Sequence, residues 1–167
     1  MMIANAIQRM IAHCEGSQHD IQHFLKVYAY ARTIGLLEGL APDVQQRLEL
    51  AAIVHDIACR MCRERYGSTK PEYQEPEGAK MARPFLAALG LPEAEIDRLC
   101  YMVGHHHSRD YVDGPDFQVL MEADFLVNAA DHGLSQDKIR QMETDLFRTQ
   151  SGKALLREMY LRQAPQS

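Results

Sequence analysis

Apolar residues recur along most of this chain at intervals of three and four, the spacing of helices that bury one face. Gly39 with Pro42 ends one such run, and Gly90 with Pro92 separates two others. No segment has the strict apolar–polar alternation that is typical of a half-buried strand. The predicted helices span about 3–13, 19–38, 42–60, 76–89, 92–103, 116–131, 135–148 and 151–162. The pattern therefore predicts an all-α protein, a single-domain irregular bundle of about seven to eight helices over residues 1–167.

Two stretches lack the helical spacing and are predicted to be loops. The longer one follows Met61 and is rich in charges, prolines and glycines. Long irregular segments in compact domains are often functional. We therefore expect substrate specificity to reside in Cys62–Glu77 and in Ser108–Pro115.

The composition is that of an ordinary globular chain, with 46% hydrophobic and 25% charged residues among 167. Its net charge of −5 argues against a nucleic-acid backbone as the main partner, because such proteins usually carry a basic face. The first residues do not resemble a signal peptide, and no apolar run is long enough to span a bilayer. Four cysteines fit a reducing compartment. We expect a cytoplasmic protein without a membrane partner, for which a homodimer is compatible with the sequence.

Polar side chains stand at a few positions inside otherwise apolar helices. His55 and Asp56 interrupt the apolar run Leu50–Arg60, and Asp124 with Asn128 lies one turn apart in a second such run. Burying a carboxylate or an imidazole is costly unless something binds it. Neighbours on a helix point about 100° apart, so His55 and Asp56 reach one ion only if it lies between their directions.

The residues alone leave two interpretations open. A metal ion would use His55, Asp56 and Asp124 together with His23, which lies among apolar neighbours on the second helix. Alternatively, the carboxylates pair with arginines or helix ends while the histidines fill core space. Two imidazoles and two carboxylates suit Mn²⁺, Fe²⁺, Co²⁺, Ni²⁺, Zn²⁺ or Mg²⁺ without choosing among them. Glu122 lies on another side of its helix from Asp124, so we expect it to face solvent or a structural partner.

The order His … His-Asp … Asp on successive helices resembles the HD-domain metal-dependent phosphohydrolases. Four local contexts carry this resemblance, and together they cover about residues 19–131, the motif core, ahead of the C-terminal helices within 135–163. The contexts are His23–Val27, Ala51–Ile57, the segment Val103–His107 and the segment Glu122–Leu126.

The resemblance implies hydrolysis of a phosphate ester of a small metabolite, often a nucleotide, by a metal-activated water. It implies that His23, His55, Asp56 and Asp124 are the metal ligands. Asp56 would also orient the attacking water, because it would already touch the ion. Further catalytic candidates are His106 and Lys26. The candidate phosphate contacts are Lys26, Arg60, Lys80 and the group His105, His106 and His107.

The chain departs from the two-metal members of that family, which supply a histidine shortly after the His-Asp pair. Here the corresponding segment 73–79 has none. Glu75 or Glu77 is a candidate substitute ligand, although a helix start suits a glutamate without any metal. His105 and His106 are candidates either for a second ion or for the phosphate. The sequence favours one firmly held metal and leaves a second one open.

Three other functions compete with hydrolysis. The first is a non-catalytic nucleotide-binding or regulatory domain that keeps a structural metal. The second is a metal-dependent oxygenase, which needs more ligands than the sequence identifies. The third is a helical interaction protein with no metal.

Overall fold

The computed structural model describes residues 1–162, and within them all regular structure is helical. The predicted all-α fold is confirmed. A 3₁₀ turn at Arg109–Tyr111 precedes the seventh helix, and a π-helical turn at Arg157–Leu161 follows the ninth. The helices are α1 Met2–His13, α2 Gln18–Leu37, α3 Pro42–Val54, α4 Cys59–Tyr66, α5 Pro71–Ala87, α6 Glu93–Val103, α7 Pro115–Asp131, α8 Gln136–Asp145 and α9 Gln150–Leu156.

Helices α3 and α7 form the centre of the molecule. Every residue from Leu48 to Val54 is buried, and α7 buries most of its length. Helix α2 packs against both of them, α1 covers another side of α3, and the pair α5–α6 packs on α3 through α6. Because α2, α3 and α7 meet along their apolar faces, polar side chains on those faces are brought together inside the protein.

The third helix is shorter than predicted. It ends at Val54, and His55 to Ala58 form a turn that leads into α4. The prediction that His55 and Asp56 lie on a helix was therefore wrong. A turn frees the two side chains from the fixed angle of helical neighbours, and the carboxylate of Asp56 reaches within 3.6 Å of His55 Nε2.

The long loop predicted after Met61 is also mostly helical. Helix α4 continues to Tyr66, and Gly67 ends it in the left-handed conformation with φ of 64°. Helix α5 then begins at Pro71, a residue that suits a first turn. Prolines within α5 cost helix stability, which the burial of one face offsets. That face carries Gln74, Gly78, Ala82 and Leu86 at intervals of four.

No helix among residues 1–162 is both long and apolar enough to cross a lipid bilayer. The predicted helices within 135–163 correspond to α8, α9 and the π-helical turn, while residue 163 lies outside the described residues. A single domain over 1–167 stays a prediction.

Candidate metal centre

Four donor atoms from three parts of the fold converge in the interior. His23 comes from α2, His55 and Asp56 from the turn after α3, and Asp124 from α7. His23 Nε2 lies 3.3 Å from His55 Nε2, 3.4 Å from Asp56 Oδ2 and 3.3 Å from Asp124 Oδ1. His55 Nε2 lies 3.4 Å from the same Asp124 oxygen. The structure thus brings together the four residues that the resemblance implies as ligands.

In each of the two histidine rings, the hydrogen bond made by Nδ1 determines the tautomer and so leaves the lone pair on Nε2. His55 Nδ1 is 2.9 Å from the carbonyl oxygen of Ala52, which can only accept, so Nδ1 carries the hydrogen. His23 Nδ1 lies 3.4 Å from Asp131 Oδ2 and donates in the same way. In the neutral rings both Nε2 atoms are therefore acceptors, and they face each other and two carboxylates. Such an arrangement needs a positive centre between its members.

The hydrogen bonding of Asp124 independently indicates a site for a positively charged group. Its Oδ2 accepts a hydrogen bond of 2.9 Å from Asn128, whereas its buried Oδ1 has no hydrogen-bond donor. Donor atoms bound to one transition-metal ion at about 2.1 Å lie about 3 to 3.5 Å apart, which is close to the separations in this cluster. The donor set of imidazoles and carboxylates thus fits a divalent ion.

The electrostatics of the cluster favour positive charge at its centre. Burial alone would lower the pKa of His23, but the carboxylates of Asp124 and Asp56 outweigh it and raise that pKa to about 9. Burial opposes ionisation of both carboxyls as well. The histidines nevertheless hold the pKa of Asp56 and of Asp124 well below the usual range.

A second group of side chains adjoins the first and shares Asp56. The other oxygen of this carboxylate, Oδ1, lies 3.3 Å from His106 Nε2 and accepts a hydrogen bond from the amide of Gln74. His106 Nδ1 lies 2.7 Å from the carbonyl oxygen of Val103, so its Nε2 is also an acceptor. His107 Nε2 lies 3.1 Å from Gln74 Oε1. Burial and the adjacent His106 lower the pKa of His107 to about 4, so this ring is neutral near neutral pH.

A cavity of 430 Å³ opens onto the first cluster, a size that suits a small organic ligand. Arg60 and Arg63 of α4 line it together with His23, Asp56 and Asp124. A smaller hollow of 230 Å³ is lined by His106, His107 and Arg109 as well as by apolar residues of α7 and α8. The two cavities share His107, Asp124 and Asn128 in their linings.

The predicted phosphate contacts are spread over different surroundings. Lys26 is half-exposed and lies 3.4 Å from Asp131, outside the cavity lining. Arg60 lines the cavity and pairs with Glu15. Lys80 is exposed and pairs with Glu77 at 3.2 Å. Of these cations, the structure places only that of Arg60 at the cavity.

Neither predicted glutamate points into the cluster. Glu77 contacts Lys80 and Tyr66, while Glu75 accepts a hydrogen bond of 3.1 Å from Ser108 Oγ and one of 3.0 Å from the backbone amide of His107. His105 stacks on Tyr111 with ring centroids 4.2 Å apart and lines a shallow groove elsewhere. Of the histidine group, His106 and His107 are brought to the second cluster.

Glu122 has the structural partner that its position predicts. It is fully buried and accepts hydrogen bonds from the backbone amides of Arg148 and Thr149, at 2.7 and 3.0 Å. Gln118 donates to the same oxygen at 2.7 Å. The carboxylate therefore anchors the start of α9 to α7.

Three functional positions escaped the sequence interpretation. Asp131 lies seven residues after Asp124 on α7, so its shared face was available as a signal. Arg63 lines the cavity and pairs with Asp20, but its sequence Arg63–Arg65 is that of an ordinary charged surface. Gln74 carried no signal, because a neutral amide in a predicted loop resembles any other loop residue.

Comparisons with known proteins agree with this geometry. The family model of the HD domain matches residues 20–131. A crystal structure described as a predicted HD superfamily hydrolase, from an uncultured Thermotogales bacterium, superposes with a TM-score of 0.64 at 19% identity. The match covers 93% of this chain and 82% of that one, and at this identity it shows a shared fold. Among curated proteins, none matches the chain.

Proposed function

This chain belongs to the HD-domain family, and from that premise we propose that it is a metal-dependent hydrolase acting on a phosphate ester of a small metabolite. The observation that carries the proposal is the convergence of His23 Nε2, His55 Nε2 and the carboxylates of Asp56 and Asp124 beside a cavity that His23, Asp56 and Asp124 line. With neutral rings all of these atoms are acceptors, so the centre calls for a positive charge, which a metal ion would supply and which a proton on His23 supplies without one.

A divalent ion bound there would supply an activated water and polarise a phosphoryl oxygen. His23 and His55 hold their rings in one orientation through the hydrogen bonds of their Nδ1 atoms. Asp56 directs Oδ2 at the cluster, where it would help to hold the ion and would orient the attacking water by accepting a hydrogen bond from it. Arg60 and Arg63 stabilise negative charge on the phosphate from the cavity wall.

The cavity supports a substrate of the size of a nucleotide or another small phosphorylated metabolite. A nucleotide is the finer proposal, and it comes from the family. We also propose a cytoplasmic location, where such substrates occur.

The test combines metal analysis with a substrate screen. The purified protein, reloaded with Mn²⁺ or Co²⁺, is compared with His55→Ala and Asp124→Ala, and Asp137→Ala on the exposed face of α8 is the control. We expect about one firmly bound ion in the wild type and the control, and none in the two site variants. Hydrolysis of phosphomonoesters, nucleoside mono-, di- and triphosphates and cyclic dinucleotides should follow the metal.

Failure to bind either added ion would overturn the metal centre. A metal-loaded protein that hydrolyses nothing in the panel, and retains a nucleotide intact, would instead favour the non-catalytic domain.

A further inference from the structure

We infer that the side-chain amide of Gln74 fills the place of a second cation and thereby limits the centre to one ion, an inference that rests on the metal centre proposed above. Gln74 is buried on α5 and lies beside Asp56. Its contacts differ in kind from those of the first cluster.

The nitrogen of the Gln74 amide lies among three atoms that could each bind a metal ion. Gln74 Nε2 donates to Asp56 Oδ1 and lies 3.1 Å from Cys59 Sγ and 3.5 Å from His106 Nε2. An ionised carboxylate only accepts hydrogen bonds, so the group that faces Asp56 is the NH₂ and not the carbonyl oxygen. The position that a cation would take between these atoms is therefore held by a protein nitrogen with two hydrogens.

The two clusters differ in whether a hydrogen-bond donor faces their acceptor atoms. In the first, the neutral rings of His23 and His55 present only acceptor Nε2 atoms to Asp124, whose Oδ1 has no hydrogen-bond partner. In the second, His106 Nε2 and Asp56 Oδ1 are likewise both acceptors, but Gln74 faces both with its NH₂. With neutral histidines, therefore, only the first cluster lacks a hydrogen between its acceptor atoms.

The carbonyl oxygen of the Gln74 amide also makes a hydrogen bond. Gln74 Oε1 accepts a hydrogen bond of 3.1 Å from His107 Nε2, which keeps that nitrogen from acting as a ligand. Asp56, His106 and His107 otherwise have ligand atoms within 4.8 Å of one another. The glutamine side chain contacts all three of these residues.

The side chain of Gln74 is buried, and the helix that carries it packs closely on α6. Gly78, one turn further along α5, lies against Val103 of α6, and a Cβ atom at that glycine would come within 3.0 Å of Val103 Cγ1. The buried amide lies beside Asp56 and holds Oδ1 of this carboxylate, while Oδ2 faces the first cluster. Gln74 is in this respect a positioning residue for Asp56.

The experiment is a titration of the full chain with Mn²⁺, followed by calorimetry and by electron paramagnetic resonance. The variants are Gln74→His and the double variant Gln74→His with His106→Ala. Gln141→His, at an exposed position of α8, is the matched control. We expect one ion in the wild type and the control, and two in Gln74→His with the spectrum of an exchange-coupled pair. The double variant should lose the second ion alone.

Two ions in the wild type, or one in a folded Gln74→His, would overturn the inference and leave the proposed function standing. No ion in any variant would overturn the proposed metal centre itself. If Gln74→His does not fold, Gln74→Met removes the amide at similar volume. In that variant we expect a second Mn²⁺ to bind at least about tenfold more tightly than to the wild type, and unchanged binding would refute the role of the amide.

Discussion

At the scale of single residues, the ring of His23 is held between its cluster and Asp131. The carboxylate of Asp131 accepts from Nδ1 at 3.4 Å and lies at the end of α7. Hydrogen-bonded carboxylates of this kind fix the tautomer and orientation of a ligating histidine. The position of His23 Nε2 therefore depends on Asp131, a residue that contributes no atom to the group of candidate ligands.

We predict that Asp131→Ala weakens metal binding by about 10- to 100-fold, because His23 loses the partner that orients it. Competition with a chelator of known affinity measures the change. Asp137→Ala serves as the control, since its side chain is exposed on α8. Equal affinity in the two variants would show that His23 is oriented by packing alone.

Asp116 links two arginines at the start of α7. Its side chain lies 2.7 Å from Arg98 and 3.3 Å from Arg47, and it is almost fully buried. Burial acts to raise the pKa of Asp116, but Arg98 and then Arg47 outweigh it, so that the pKa is lowered. A carboxyl with a lowered pKa in the folded protein stabilises it fully above the unfolded value, which is about 4, and loses that stabilisation as the pH falls through the folded value.

Asp116→Asn should therefore lower the free energy of unfolding by about 2 kcal/mol at pH 7. The gap to the wild type should narrow below about pH 4, where the native carboxyl takes up a proton. Urea unfolding across this pH range measures both quantities. A gap that stays constant with pH would mean that the charge of Asp116 contributes nothing.

At the scale of elements, α9 is fastened to α7 by one buried carboxylate. Glu122 receives the free backbone amides at the start of α9, where a negative charge also suits the helix dipole. We predict that Glu122→Ala lowers the free energy of unfolding by about 3 kcal/mol, since it leaves buried donors without an acceptor. Chemical denaturation measures the loss, with Glu158→Ala on the exposed surface as control.

Gly152 gives a second way to disturb the same contact. A Cβ atom at Gly152 would collide with the Glu122 carboxylate, so Gly152→Ala should also destabilise the protein although it removes no hydrogen-bonding group. If Gly152→Ala is neutral while Glu122→Ala is not, α9 moves easily and the cost belongs to the buried charge alone.

The helices also show which features of the fold could be predicted from the sequence and which could not. Apolar periodicity identified the all-α fold, and polar residues inside apolar runs drew attention to the four side chains that the structure brings together. No glycine or proline marks the end of α3 at Val54, so the sequence pattern could not show where the helix stops. Conversely, Pro76 was predicted to begin a helix, yet it lies inside α5, where the buried face of that helix outweighs its cost.

At the scale of the whole molecule, metal binding should be coupled to stability, because the centre joins α2, α7 and the turn after α3. A ligand at 100 times its dissociation constant stabilises the folded state by about 2.7 kcal/mol, which corresponds to an increase in Tm of about 5 to 10 °C for a chain of this size. We predict this increase on adding Mn²⁺ or Co²⁺ and its reversal by a chelator, measured by thermal unfolding. His55→Ala should show no increase, and a similar shift in that variant would place the ion elsewhere.

The buried carboxylate of Glu122 has a consequence for any attempt to trim or transplant this domain. The segment that carries the family pattern ends at residue 131, yet the donors that satisfy Glu122 lie at 148 and 149. At the other end, Ala6 and Met10 of α1 are part of the core. A chimaera grafted at the limits of the pattern would carry the candidate ligands. It would leave the buried Glu122 carboxylate without the backbone amides of Arg148 and Thr149. The stretch that identifies the family is therefore shorter than the stretch that must be moved as one piece.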